Sequence, residues 1–154
     1  MHLSERFVDN CIIIDSASAD KESILHEMVN TLCDAYNLEY KDEIFNAVWS
    51  REESRSTGIG CGLAVPHAKV DYIDKMCMAA ATVKNGLDFN AFDGEPVYLL
   101  ILIISPENTV GPHLKALSSV SRLLADGSVR QDLIRSKTPS EFLTILKKAE
   151  DKYL

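Results

Sequence analysis

Ile24, Leu25, Met28, Val29, Leu32 and Cys33 recur at three- and four-residue spacing, the period of one apolar stripe on a helix, and Asp20 is placed to cap its first turn. Ile44, Phe45, Val48 and Trp49 repeat the pattern from about Lys41, so a second helix runs directly into Arg51. Pro112 suits the first position of a third helix, where a missing N–H costs nothing, and Leu114, Leu117, Val120, Leu123 and Leu124 continue the stripe behind it. Thr138-Pro139-Ser140-Glu141 has the form of a capping box. It predicts a last helix with Phe142, Ile145, Leu146 and Ala149 facing inward, preceded by a short helix from Val129 to Arg135.

The remaining apolar residues follow no helical period. Cys11-Ile12-Ile13-Ile14, ended by Asp15 and Ser16, reads as a strand or extended arm. Met76 to Val83 is apolar and is followed by Asn85-Gly86, a turn signal that favours a strand over a buried helix; Asp93-Gly94 supplies another turn. Val97 to Ile104 is continuously apolar, as expected of a central strand covered on both faces. Between Ser54 and Gly62 the helical period disappears, and Gly58, Gly60 and Gly62 alternate with other residues, which predicts a loop of defined shape. Strands mixed with helices, with no repeat or long linker, make a single α/β domain over 1–154, its core from about 11 to 149.

Composition narrows the class. The 154 residues, 46% hydrophobic and 25% charged, suffice for one core without disulfide or metal staples. A net charge of −7 argues against nucleic acid or an anionic membrane as partner. Cys11, Cys33, Cys61 and Cys77 have no C-x-x-C spacing and sit among apolar neighbours, as reduced thiols do. No segment has the apolar length of a signal peptide or a membrane span, so a soluble, cytoplasmic protein is expected, with no direct membrane insertion.

Two histidines occupy special backbone positions. His67 ends the stretch Ser56-Thr57-Gly58-Ile59-Gly60-Cys61-Gly62-Leu63-Ala64-Val65-Pro66-His67, and His113 falls in the first turn behind Pro112. A neutral imidazole can attack phosphorus and later leave, so His67 is the candidate acceptor of a phosphoryl group. Glycine N–H groups and the hydroxyl of Ser56 or Thr57 are candidate donors to its oxygens. His113, neutral at a helix N-terminus, is a candidate donor beside it, and Arg51 is the candidate fixed cation with Arg55 as fallback. His2 and His26 are assigned to the surface or to helix packing. Gly58-Ile59-Gly60-Cys61-Gly62 lacks the last glycine of a dinucleotide fingerprint and no metal-ligand spacing is present, so no cofactor and no metal are expected. Cys61 offers two minor readings, the nucleophile of a Cys–His hydrolase and a redox-sensitive position near His67.

The glycine-rich stretch through Pro66-His67, the upstream Arg51-Glu52 and the downstream His113-Leu114 with its leucine stripe together resemble the enzyme IIA domain of the bacterial phosphotransferase system, fructose/mannitol type, which includes nitrogen-regulatory relatives. The similarity extends over about Cys11 to Ala149. It implies a mixed β-sheet flanked by helices and a phosphoryl carrier. It further implies that His67 takes the group from the histidine phosphocarrier protein HPr or a paralogue and passes it to a cysteine or histidine of a IIB domain. His113 is then its active-site neighbour and Arg51 the supporting cation. A regulatory module, whose phosphorylation state alters its affinity for other proteins without sugar transport, is the alternative.

Overall fold

The computed structural model describes residues 1–8 and 10–154. A short helical turn (Leu3–Arg6) is followed by β1 (Ile12–Ile13), α1 (Lys21–Tyr36), α2 (Lys41–Ser54), β2 (Gly58–Gly60), β3 (Leu63–Ala64) and β4 (His67–Val70). Then come β5 (Cys77–Leu87), β6 (Val97–Pro106), α3 (Gly111–Leu124), α4 (Gly127–Arg135) and α5 (Pro139–Tyr153). The helices form where the apolar stripes lie. The Asp20 side chain accepts from Ser23 N at 2.8 Å to open α1, and Asn37, with φ 57°, closes it in the left-handed conformation. Thr138 caps α5 by accepting from Glu141 N at 3.1 Å, with Pro139 in the first turn. Asp126 caps α4 by accepting from Ser128 N, so the helix begins at Gly127, two residues before Val129. Trp49 and Ile145 are only half-buried, at the margins of their stripes.

β6 is the central strand of a mixed sheet, antiparallel to β5 on one side and parallel to β3 and β4 on the other. β1 extends the sheet in parallel beyond β5, and β2 in antiparallel beyond β3. Leu63 lies opposite Leu99 and His67 opposite Ile103, the same offset, so β3 and β4 are two halves of one strand. The break falls at Val65-Pro66. Proline has no N–H to give; its carbonyl accepts from Ile103 N at 3.0 Å, while Val65 N turns away to the Thr57 carbonyl. His67 therefore begins the second half-strand, locked in register with the most buried part of the sheet.

Residues 77–83 of β5 and 99–106 of β6 are buried without exception, although successive side chains point to opposite faces, so both faces are covered. α1 packs on β5 and α2 on α1 and β4; α4 packs on β5 and β6, with α3 and α5 against α4. The expected α/β architecture and the central place of Val97 to Ile104 are both observed.

Asn85-Gly86 is not the expected turn. β5 runs through it to Leu87, with the register to β6 slipping between Thr82 and Leu87. The cause is tertiary: Gly86 has φ +75°, and a Cβ there would lie 2.8 Å from the Tyr98 ring and 3.0 Å from Pro96. The glycine serves a bulge beneath an aromatic ring, and the chain reverses later, around Asp93-Gly94. Gly86→Ala is expected to destabilise the protein by about 1–3 kcal/mol, combining strain at positive φ with overpacking. Urea unfolding measures it, and an unchanged midpoint would refute the assignment.

Candidate active site

Arg51, His67 and His113 come from the last turn of α2, the first residue of β4 and the first turn of α3. The sheet register and the packing of α2 on β4 bring them together. The His67 and His113 rings stand 5.5 Å apart between centroids, tilted by 57°. Arg51 and His67 line two adjoining clefts of about 520 and 650 Å³, and His113 lines the second. A larger cleft of about 880 Å³ between Ile14, Lys84, Tyr98 and Ile134 contains no histidine or cysteine and so no comparable nucleophile.

The half-buried His67 ring places Nδ1 2.8 Å from the Val65 carbonyl. A carbonyl only accepts, so Nδ1 carries the proton and Nε2 keeps its lone pair. Burial holds this imidazole below its ordinary 6.5; the Arg51 charge acts the same way, while the Val65 carbonyl and the Glu52 charge oppose. His67 is thus neutral near pH 7, with a lone pair on Nε2.

His113 is buried, and its Nδ1 lies 2.7 Å from the Ser105 hydroxyl. Burial first, then the His67 and Lys69 charges, push it down to about 4. Desolvation is the leading reason for the neutral ring expected at this helix N-terminus. An unfolded chain protonates this residue near 6.5 and the folded chain only near 4, so the stability it contributes is full above that window and is lost as pH falls through it. The expected loss is about 3 kcal/mol by pH 4. Urea midpoints should fall less on acidification in His113→Gln than in the wild type; identical slopes would refute the buried neutral state.

Arg51 Nη1 donates to the Arg55 carbonyl at 2.7 Å, which ties the Arg51 guanidinium to the residue that ends α2. Arg55 lines only that cleft, so Arg51 is the cation shared by both. Lys69 lies two residues after His67 on the same face of β4 and lines the second cleft beside His113. The strand period, once β4 is known, identifies it.

The glycine stretch does not form the expected cradle of N–H donors. Gly58–Gly60 is a strand paired with β3, and Gly60, Cys61 and Gly62 make its tight turn at φ 101°, 57° and 78°. The Cys61 N–H is already donated to Asp93 Oδ2, and the Gly58 N–H to the Ser56 hydroxyl. Gly58 is small for packing, since a Cβ would meet Ala91 Cα at 2.8 Å. The two expected hydroxyls are also engaged, Ser56 with the Phe89 carbonyl at 2.9 Å and Thr57 with Glu52 at 2.7 Å. Cys61 lines neither cleft, so the structure does not pair it with His67.

Glu52 organises this region in a way the sequence pattern alone concealed. It falls on the buried stripe of α2 with Phe45 and Val48, and its carboxylate accepts from Thr57 N and Oγ1 and pairs with Lys21 Nζ at 3.2 Å. A charge at an apolar stripe position was its signal. His26 stacks on Phe45 at 3.6 Å, and His2 is half-exposed near Glu150. Among the described residues no group of His, Cys, Asp or Glu side chains forms a metal site, and no helix is long and apolar enough to cross a membrane.

The chain is 32% identical over 146 residues to the PTS system fructose-specific EIIABC component of Bacillus subtilis, covering 95% of this chain but 23% of that protein. It is 32% identical over 135 residues to the PTS system fructose-specific EIIA component of Haloferax volcanii, covering 88% of each. The nitrogen regulatory protein IIA-Ntr of Neisseria meningitidis superposes with a TM-score of 0.87 at 28% identity, over 94% of this chain and 98% of that one. With the profile described as "Phosphoenolpyruvate-dependent sugar phosphotransferase system, EIIA 2" matching residues 6–149, the chain belongs to that family of phosphoryl-carrying domains.

Proposed function

We propose that His67 is the phosphoryl acceptor of a carrier that takes the group from an HPr-like histidine phosphocarrier and hands it to a IIB component. The observation that carries the reading is the His67 Nδ1 bond to the Val65 carbonyl, which leaves Nε2 as a bare nucleophile between two clefts. Nε2 attacks phosphorus; its bond forms as the donor's N–P bond breaks, and the donor imidazole leaves with the electron pair. Nδ1–H stays on the Val65 carbonyl, which stabilises the positive charge that develops on the ring. Arg51 and His113 hold the phosphoryl oxygens, and Lys69 adds charge at the same mouth. Onward transfer repeats the displacement with the acceptor's cysteine or histidine as nucleophile. The protein works in the cytoplasm and needs no cofactor for this exchange.

The rim suits a protein partner. Ile59, Phe92 and Leu114 are the exposed large apolar side chains lining these clefts, and Phe92 is 84% exposed. Such a patch around a reacting group marks a docking surface, and Arg51, Arg55 and Lys69 add cations to it. A regulatory role without sugar transport is the second reading, favoured by the close superposition on a nitrogen regulatory protein. Incubation with phosphoenolpyruvate, enzyme I and HPr, followed by intact mass, tests the carrier; one acid-labile phosphoryl group is expected, and none would refute it. Neighbouring genes for IIB and membrane IIC components favour transport over regulation.

A further inference from the structure

The apolar run of β6 ends in Ser105, a hydroxyl with no solvent exposure. A polar proton in that setting must be placed, because leaving it unpaired is costly. Ser105 Oγ lies 2.7 Å from His113 Nδ1 and makes no other hydrogen bond among the described residues. If Nδ1 were protonated it would donate to Oγ, and the hydroxyl proton would have no acceptor. The reverse arrangement satisfies both groups: O–H donates to the Nδ1 lone pair, and the ring proton sits on Nε2. No side-chain nitrogen or oxygen sealed from solvent lacks a partner among the described residues. His113 Nε2, which has no protein partner, therefore opens on the cleft.

We propose that Ser105 is a positioning residue: by donating to His113 Nδ1 it keeps the ring proton on Nε2, so that His113 offers an N–H, and not a lone pair, to the phosphoryl group on His67. The inference rests on the reading of His67 as acceptor. The sheet register supports it, since Ser105 pairs with Lys69 in β4 and so shares a face with His67, two residues before Lys69. The two imidazoles are then set to opposite tautomers by opposite partners. A carbonyl acceptor at His67 turns the lone pair outward, and a hydroxyl donor at His113 turns the proton outward. One ring is the nucleophile and the other is the donor. A His113 lone pair in that place would repel the phosphoryl oxygens.

Nitrogen-15 NMR of histidine-labelled, unphosphorylated protein reads both tautomers directly. The expected result is a protonated Nε2 on His113 and a protonated Nδ1 on His67; a protonated Nδ1 on His113 overturns the proposal. In Ser105→Ala the His113 Nδ1 resonance should lose its hydrogen-bond shift. Onward transfer should slow by about tenfold at an unchanged half-saturating partner concentration, and Ser105→Thr should restore it. Transfer at the wild-type rate in Ser105→Ala overturns the proposal; if that variant fails to fold, the wild-type tautomer decides. A wild type that takes up no phosphoryl group refutes the carrier reading instead, and the tautomers are still measured.

Discussion

His67→Ala is expected to reduce phosphoryl uptake from phosphoenolpyruvate, enzyme I and HPr to background. His67 is the imidazole in the clefts whose ring leaves a nitrogen lone pair free, since its Nδ1 is tied to the Val65 carbonyl and His113 uses its own Nδ1 on Ser105. Cys61 lines neither cleft, the nearby Ser56 and Thr57 hydroxyls are engaged by the Phe89 carbonyl and Glu52, and the serines that line the clefts are far weaker nucleophiles than a neutral imidazole. The fold should survive, because His67 is half-buried and its backbone pairing with Ile103 does not depend on the side chain. Intact mass of both proteins, with acid lability of the adduct, is the measurement. Undiminished phosphate on His67→Ala would move the acceptor elsewhere.

His113→Ala should give a different phenotype. His67 keeps its nucleophilic nitrogen and its carbonyl partner, so the variant still becomes phosphorylated at equilibrium. Onward transfer should fall by on the order of a hundredfold, the usual cost of removing one aligned donor from developing charge in a desolvated site. Single-turnover transfer from the phosphorylated protein to a IIB partner separates this from a docking defect, since the exposed apolar residues Phe92 and Leu114 are untouched. His113→Gln, which retains an N–H donor, should lie between the alanine variant and the wild type. Normal kinetics in His113→Ala would remove His113 from the mechanism.

The elements that period alone specifies were legible: the stripes of α1, α2 and α5, that of α3 from Val120 onward while Leu114 at its start is exposed, and the apolar centre of β6. Asn85-Gly86 shows where local reading stops. Its residues favour a turn, but Tyr98 and Pro96, ten or more residues away, fill the space that makes it a bulge. The same holds for Ser54 to Gly62. Three glycines there resemble an anion cradle, yet they form a strand and its tight turn, with the Gly58 N–H on Ser56 and the Cys61 N–H on Asp93.

By itself the sequence determined the α/β class and singled out three candidate residues that the fold brings together, because helical period, a proline-histidine step and a helix-start histidine are local features. Only the tertiary structure decided what those residues can do. The pairing of β4 with β6 sets His67 in register with the buried strand that carries Ser105, and burial keeps both rings neutral. Which nitrogen bears each proton depends on a carbonyl two residues from one histidine and a hydroxyl eight residues from the other. Hydrogen-bond direction is a property of atoms brought together by folding, and it sets two similar imidazoles to opposite tautomers, one with an outward lone pair and one with an outward N–H.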